Sequence, residues 1–262
     1  MLPTIKSMIR DTPLLRETAL RLRAITHSVA TAPSGLYVLC YHHIPAAWQA
    51  RFEAQLRFLG RHGTFVDADR AADLVATGGA ATGRFFLVSF DDGYTDSCDV
   101  ALPVLTALGI PAIVFLVSDW LDAPPVSAGR RDGYMTRADV ETWCEAGLQI
   151  GSHSATHRNL KHLTPDAITE EMTRSRHALE ALTGRPIRHF ACPWGVAGRD
   201  FDPASDPALA AAAGYRTFHT TRRGQARSAA DLLLLPRHVL EPQWDLYQLD
   251  ALLGGRANHA GH

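Results

Sequence analysis

The chain has 262 residues with 26 Lys and Arg against 27 Asp and Glu, a formal net charge of -1, so no global field exists to hold a polyanion and nucleic-acid binding is not expected. With 46% hydrophobic and 20% charged residues, 20 Gly and 15 Pro, the composition excludes a disordered, collagen-like or disulfide-scaffold chain. The length suits one larger α/β domain as well as two small ones.

No stretch approaches the ~18 apolar residues needed to span a bilayer. The opening MLPTIKSMIRDTPLLRETALRLRAITHS interrupts every apolar run with a charged side chain, unlike a secretory signal, so a cytoplasmic protein is expected. Leu14, Leu15, Leu22, Ile25 and Val29 recur there at helical spacing, with Arg16, Arg21 and Arg23 free for the other side. Residues 1–35 are therefore read as an amphipathic helical segment, docked on the fold or, being basic, in peripheral contact with a membrane.

Short β-branched or aromatic runs then alternate with helical patterns. LYVLCYH (36–42), FFLVSF (85–90), AIVFLV (112–117), LQIGS (148–152) and RHFAC (188–192) read as strands, and YRTFHTT (215–221) and LLLLPRHVL (232–240) as two more. Between them, Phe52, Leu56 and Leu59, then Ala101, Leu105 and Leu108, then Val140, Trp143 and Cys144, mark helices. Ile168, Met172, Leu179 and Leu182 mark a longer one that starts at Thr164-Pro165-Asp166 and stops at Gly184 and Pro186. An Ala-rich segment ending at Gly214 gives one further helix, and Ala123 to Arg131, with Pro124-Pro125, a long loop. Cys40, Cys98, Cys144 and Cys192 form no C-x-x-C pair and read as free thiols. About seven β/α units over 36–253 predict a closed or nearly closed parallel barrel, with a doubly wound sheet as the alternative and a tail at 254–262.

Active sites of such barrels gather at the C-terminal strand ends. The run 85–90 ends in Asp91-Asp92-Gly93-Tyr94, two adjacent carboxylates at the mouth of an apolar sheet, which repel one another and lose hydration unless a cation lies between them. A divalent metal would take one carboxylate and leave the other to accept a proton from water. Ile150 to His157 sets His153 and His157 four residues apart, able to reach one ion if the chain turns helically. Phe190-Ala191-Cys192-Pro193-Trp194-Gly195 offers a flat Trp face for a sugar ring and a backbone N–H for an oxyanion. Tyr41-His42-His43 ends the first strand with imidazoles suited to general acid work.

In this order the four elements resemble the polysaccharide deacetylase family, carbohydrate esterase family 4, over roughly residues 36 to 240. Ser89-Phe90-Asp91-Asp92-Gly93-Tyr94 is similar to its first motif and Ser152-His153-Ser154-Ala155-Thr156-His157 to its second. Val38 to Ile44, Phe52 to Gly63 and Leu235-Pro236-Arg237 look like the branch that deacetylates exopolysaccharides such as poly-N-acetylglucosamine. The resemblance implies a distorted (β/α) barrel of about seven parallel strands, a divalent ion, zinc or else cobalt or nickel, and an acetylated glycan as substrate and partner. It also implies Asp91 as base, Asp92, His153 and His157 as metal ligands, and His42 as acid, with His43 and His238 as rivals for the last role. Trp194, Pro193 and Tyr94 would line the oxyanion and substrate site. The third motif usually begins with an Arg that orients the base, where this chain has Ala191, and Arg237 is the substitute. The other readings are a carbohydrate-binding pseudoenzyme and a metal-independent glycoside hydrolase.

Overall fold

The computed structural model describes residues 28–121 and 133–254. Residues 1–27 of the expected N-terminal helical segment, the loop from Ala123 to Arg131 and residues 255–262 of the expected tail lie outside the described residues, and within 28–35 only Val29–Thr31 is helical, as a 3-10 turn. Eight strands are seen: β1 (Gly35–Tyr41), β2 (Thr64–Phe65), β3 (Arg84–Phe90), β4 (Ala112–Leu116), β5 (Gln149–Ser152), β6 (His189–Ala191), β7 (Thr217–His219) and β8 (Arg237–Val239). The helices are α1 (Gln49–Gly60), α2 (Ala68–Ala76), α3 (Leu102–Leu108), α4 (Arg137–Glu145), α5 (Pro165–Thr183), α6 (Asp206–Ala212) and α7 (Leu246–Gly254).

Every ladder between these strands is parallel, along the path β7-β6-β5-β4-β3-β1-β8, with β2 added beside β3. Leu235, just before β8, bridges in parallel to His219 of β7, and its carbonyl accepts the Thr220 N–H at 2.9 Å. The result is a nearly closed barrel of seven parallel strands in one α/β domain, not a doubly wound sheet.

Alternation along the strands sorts side chains into two layers. Leu36, Val38, Leu87, Ile113, Phe115 and Ala191 pack with Leu235 inside the barrel, whereas Tyr37, Leu39, Phe86, Val88, Phe90 and Val114 face the helices. The inner cluster also takes in Ala71, Leu74 and Val75 of α2. This helix closes the N-terminal mouth of the barrel, where its Ala68 N–H donates to the Gln149 side chain at the start of β5 (2.6 Å).

Local signals explain the helix limits. Thr164 Oγ1 accepts the Ala167 N–H at the start of α5, and Gly184, at φ 64°, returns its N–H to the Glu180 carbonyl at the end. One expectation is corrected: Ala229–Leu234 is a 3-10 helix rather than the front half of a strand. Ser228 and Asp231 form a capping box over its first turn, and Pro236 has no N–H for a ladder, so only Arg237–Val239 pairs as a strand. None of the four cysteines is in a disulfide. No described helix is long and apolar enough to cross a membrane.

Candidate active site

At the exit of β3 the Asp91 N–H still donates to the Tyr41 carbonyl (3.0 Å), which fixes the residue beside β1. Its carboxylate is 2% exposed, and the Arg237 guanidinium, also buried, donates from Nη1 to Oδ1 at 2.7 Å. Arg237 is steered by its Nε bond to the Thr220 carbonyl (2.9 Å) and lies over the Phe115 ring. Burial alone would raise the Asp91 carboxyl, but the charge of Arg237, with His153 and His42 behind it, holds it down to about 2.

Asp92 sits at φ 68° and Gly93 at φ 73°, where a Cβ would come within 2.5 Å of the Leu116 side chain. Two left-handed residues in succession turn the chain sharply and place the Asp92 carboxylate against β5. His153 Nε2 lies 3.4 Å and His157 Nε2 3.3 Å from Asp92 Oδ1. The imidazoles converge without the helical turn expected of their spacing. Ser154 (φ 67°) and His157 (φ 61°) are left-handed, the Ser154 hydroxyl accepts the His157 N–H (2.9 Å), and Glu171 of α5 accepts the N–H groups of Ala155 and Thr156.

The chemistry of this donor set fits a cation. His153 Nδ1 is 2.7 Å from the Ala191 carbonyl, which can only accept, so Nδ1 carries a proton and Nε2, aimed at a carboxylate, is the ring atom left to ligate a cation. Asp92 Oδ1 is buried with no hydrogen-bond partner, and the three donor atoms lie within 4.8 Å of one another. Lone pairs converging in a dry site call for a positive ion at their centre.

His42 is half-buried and its imidazole comes within 4.8 Å of the Asp91 carboxylate and the Cys40 thiol. His43 instead stacks on Tyr94 (3.6 Å between centroids) and its Nδ1 pairs with Asp96 at 3.0 Å, which raises its pKa. His238, one residue past Arg237, points to the opposite layer, where it stacks on Tyr37, bonds the Gly224 carbonyl and is pushed by burial down to about 4. The mouth therefore holds His42 but not His238.

Trp194, at φ 56° and 49% exposed, carries its ring 4.6 Å from that of His157, and the preceding Pro193 is buried. The arc continues through Trp120, Tyr134 and Tyr94 to His43, each ring in contact with the next. Trp120 and Tyr134 escaped the sequence reading because each is a lone aromatic in a loop. A cavity of about 400 Å³ lies at the opposite mouth, lined by Asp69, Gln149 and His189 among others, and holds none of the converging donors.

Residues 78–218 match the family described as polysaccharide deacetylase, more than half of the chain. The chain belongs to that family. As a polysaccharide deacetylase family member it is a carbohydrate deacetylase, and its substrate is a glycan. It is 26% identical over 216 residues to YxkH of Bacillus subtilis (strain 168), whose name describes a polysaccharide deacetylase, covering 80% of this chain and 73% of that protein. Among solved structures it is similar to IcaB from Ammonifex degensii (24% identity, TM-score 0.71, 84% of this chain and 98% of that one). The Streptococcus pyogenes deacetylase PplD in complex with acetate is similar to the same degree (22% identity, TM-score 0.71, 84% and 99%). These two likenesses show the fold. Where the family's third motif begins with an Arg, the Ala191 carbonyl of this deacetylase orients His153, and the guanidinium on Asp91 comes from β8 instead.

Proposed function

We propose that the chain is a divalent-metal-dependent hydrolase that removes N-acetyl groups from an amino-sugar glycan, with Asp92, His153 and His157 holding the ion. The observation that supports this reading is the convergence of three electron-pair donors on one point beside a second carboxylate, Asp91, whose Oδ2 lies 3.9 Å from His153 Nε2. An ion there, Zn2+ or else Co2+ or Ni2+, supplies Lewis acidity to the acetyl carbonyl and a more acidic water.

Asp91 is the base. Arg237 occupies its Oδ1 and keeps it charged, leaving Oδ2 to take the proton of the attacking water. His42, whose imidazole comes within 4.8 Å of the Asp91 carboxylate, returns a proton to the leaving nitrogen. The backbone turn at Pro193 and Trp194 offers N–H donation to the developing oxyanion. Trp194, Tyr94 and the rest of the aromatic arc present flat faces to the sugar. Acetate and a free amine leave.

Acetate release from an N-acetylglucosamine oligosaccharide, measured with and without a chelator, tests the reading. Chelation stops release and one equivalent of Zn2+ or Co2+ restores it. Asp91→Asn keeps the ion at Asp92, His153 and His157 and loses turnover by about a hundredfold or more, whereas His153→Ala loses both that ion and turnover. Full turnover in the chelated protein sinks the proposal.

A further inference from the structure

We propose that Cys40, His42 and Asp91 form a second, inhibitory site for a borderline-soft divalent ion such as Zn2+, beside the Asp92, His153 and His157 triad. That the ion inhibits rests on the roles assigned above to Asp91 and His42; that it binds does not.

Each of the three residues brings one donor atom, a thiol sulfur, an imidazole nitrogen or a carboxylate oxygen, within 4.8 Å of the other two. The placement follows from the strands. Cys40 and His42 are two residues apart at the exit of β1, so alternation turns both to the same face. Asp91 ends the neighbouring strand in a register set by the Tyr41 and Phe90 pairing. Around a tetrahedral zinc the donors lie about 3 to 4 Å apart, a contraction from the limit of 4.8 Å within which these three already lie.

The donor set also selects the ion. Thiolate with imidazole and carboxylate suits Zn2+, Co2+ or Cd2+, whereas Mg2+ and Ca2+ avoid sulfur. Cys40 is fully buried and Asp91 nearly so, while His42 is half-buried, so the ion enters from the mouth past the imidazole and takes its fourth ligand from solvent. On binding, the Cys40 thiol gives its proton to solvent. The thiolate is then the one new negative charge set against the ion, because the Asp91 carboxylate, which the ion shares, already faces Arg237, and Arg237 keeps its bond to Oδ1. The proposed catalysis leaves the Cys40 thiol unused, but an ion held by it would occupy the Oδ2 atom of the base and the lone pair of the acid together. Activity would then rise with the first equivalent of zinc and fall with the second.

Cobalt titration of the metal-free full chain tests this without turnover, because a thiolate-to-cobalt charge-transfer band in the near ultraviolet appears only when sulfur ligates. The band is expected with the second equivalent in the wild type and with the first in His153→Ala. It should be absent from Cys40→Ala and Cys40→Ser, with folding checked by circular dichroism, and unchanged in Cys144→Ala. Zn2+ equilibrium dialysis should give two ions per chain for the wild type and one for the Cys40 variants. Relative to each protein's own rate at one equivalent, acetate release should fall about a hundredfold in the wild type as the second ion binds and hold level in the Cys40 variants. No band in folded wild type, or a band that survives both Cys40 substitutions, overturns the site. So does a total of one ion, lost alike from His153→Ala and from the Cys40 variants. A band with flat turnover overturns the inhibition. Failure of the functional proposal reads separately, as a His153→Ala chain that still takes its first ion without the thiolate band and keeps its rate.

Discussion

Asp91 and Asp92 are adjacent in sequence, yet they keep their charges by different means. Asp91 faces a buried guanidinium, whereas Asp92 is buried less and is held well below the usual carboxylate range by the imidazoles of His153 and His157 against the opposing effect of burial. Because the Asp91 carboxyl titrates at about 2, it is ionised wherever the protein is folded, and the acid limb of kcat/KM belongs to another group. Arg237→Gln leaves a buried carboxylate unpaired, which costs about 3–5 kcal/mol and raises the Asp91 carboxyl until it takes over the acid limb from that other group, so the limb shifts upward in pH; Arg237→Lys shifts it less. An unmoved limb in Arg237→Gln, read from pH profiles of kcat/KM, contradicts this role. The depressed carboxyl also adds stability above the ordinary carboxylate pKa, lost as pH falls toward about 2. The carboxylate and imidazole motifs were legible because such groups seldom end apolar strands. The Asp91 and Arg237 contact spans 146 residues, so the family resemblance could offer Arg237 for it but no spacing or periodicity in the chain announces it. Parity along β8, which separates Arg237 from His238, was hidden by the brevity of that strand.

The exits of β3, β5 and β6 share one device. Asp92, Ser154, His157 and Trp194 are the four described non-glycine residues at positive φ, and all stand at the same mouth. Each such backbone costs about 1–2 kcal/mol, a strain held by surrounding bonds such as those of Glu171 to the Ala155 and Thr156 N–H groups. Ser154→Gly relieves one of these strains but removes the hydroxyl that accepts the His157 N–H, so the two effects nearly cancel in stability, within about 1 kcal/mol. Metal affinity nonetheless falls about tenfold, because His157 is no longer held in place. Thermal unfolding of the metal-free chain and a zinc competition titration separate the two, and unchanged affinity refutes the argument. The ends of α5 were readable from its caps. The leucine run before Pro236 was not, because a short apolar run reads alike as strand or helix, although Ser228 and Asp231 at capping-box spacing were the signal that decides it.

Across the whole barrel, the two mouths divide chemistry from stability. At the far mouth Asp69 of α2 accepts from Gln149 (3.0 Å), Arg216 (3.2 Å) and Arg188 (3.4 Å), and its carboxyl is lowered to about 2, chiefly by the His189 imidazole, whose Nε2 lies 3.5 Å away. Asp69→Asn therefore destabilises the protein by about 1 kcal/mol at neutral pH once its one-third exposure is allowed for. The gap closes as pH falls below about 4, and kcat stays at the wild-type value. Denaturant midpoints at both pH values check this, and a gap of the same size in acid refutes it. The plug helix went unread because its alanines give no bulky periodic stripe, whereas the barrel itself was visible in the alternation of strands and helices. The seam beside β8 bears on the order in which the enzyme is made. A nascent chain that has not yet reached Arg237 carries Asp91 without its counter-charge and a sheet still open between β7 and β1. Catalytic competence thus arrives late in translation, in one step, when the last strand docks.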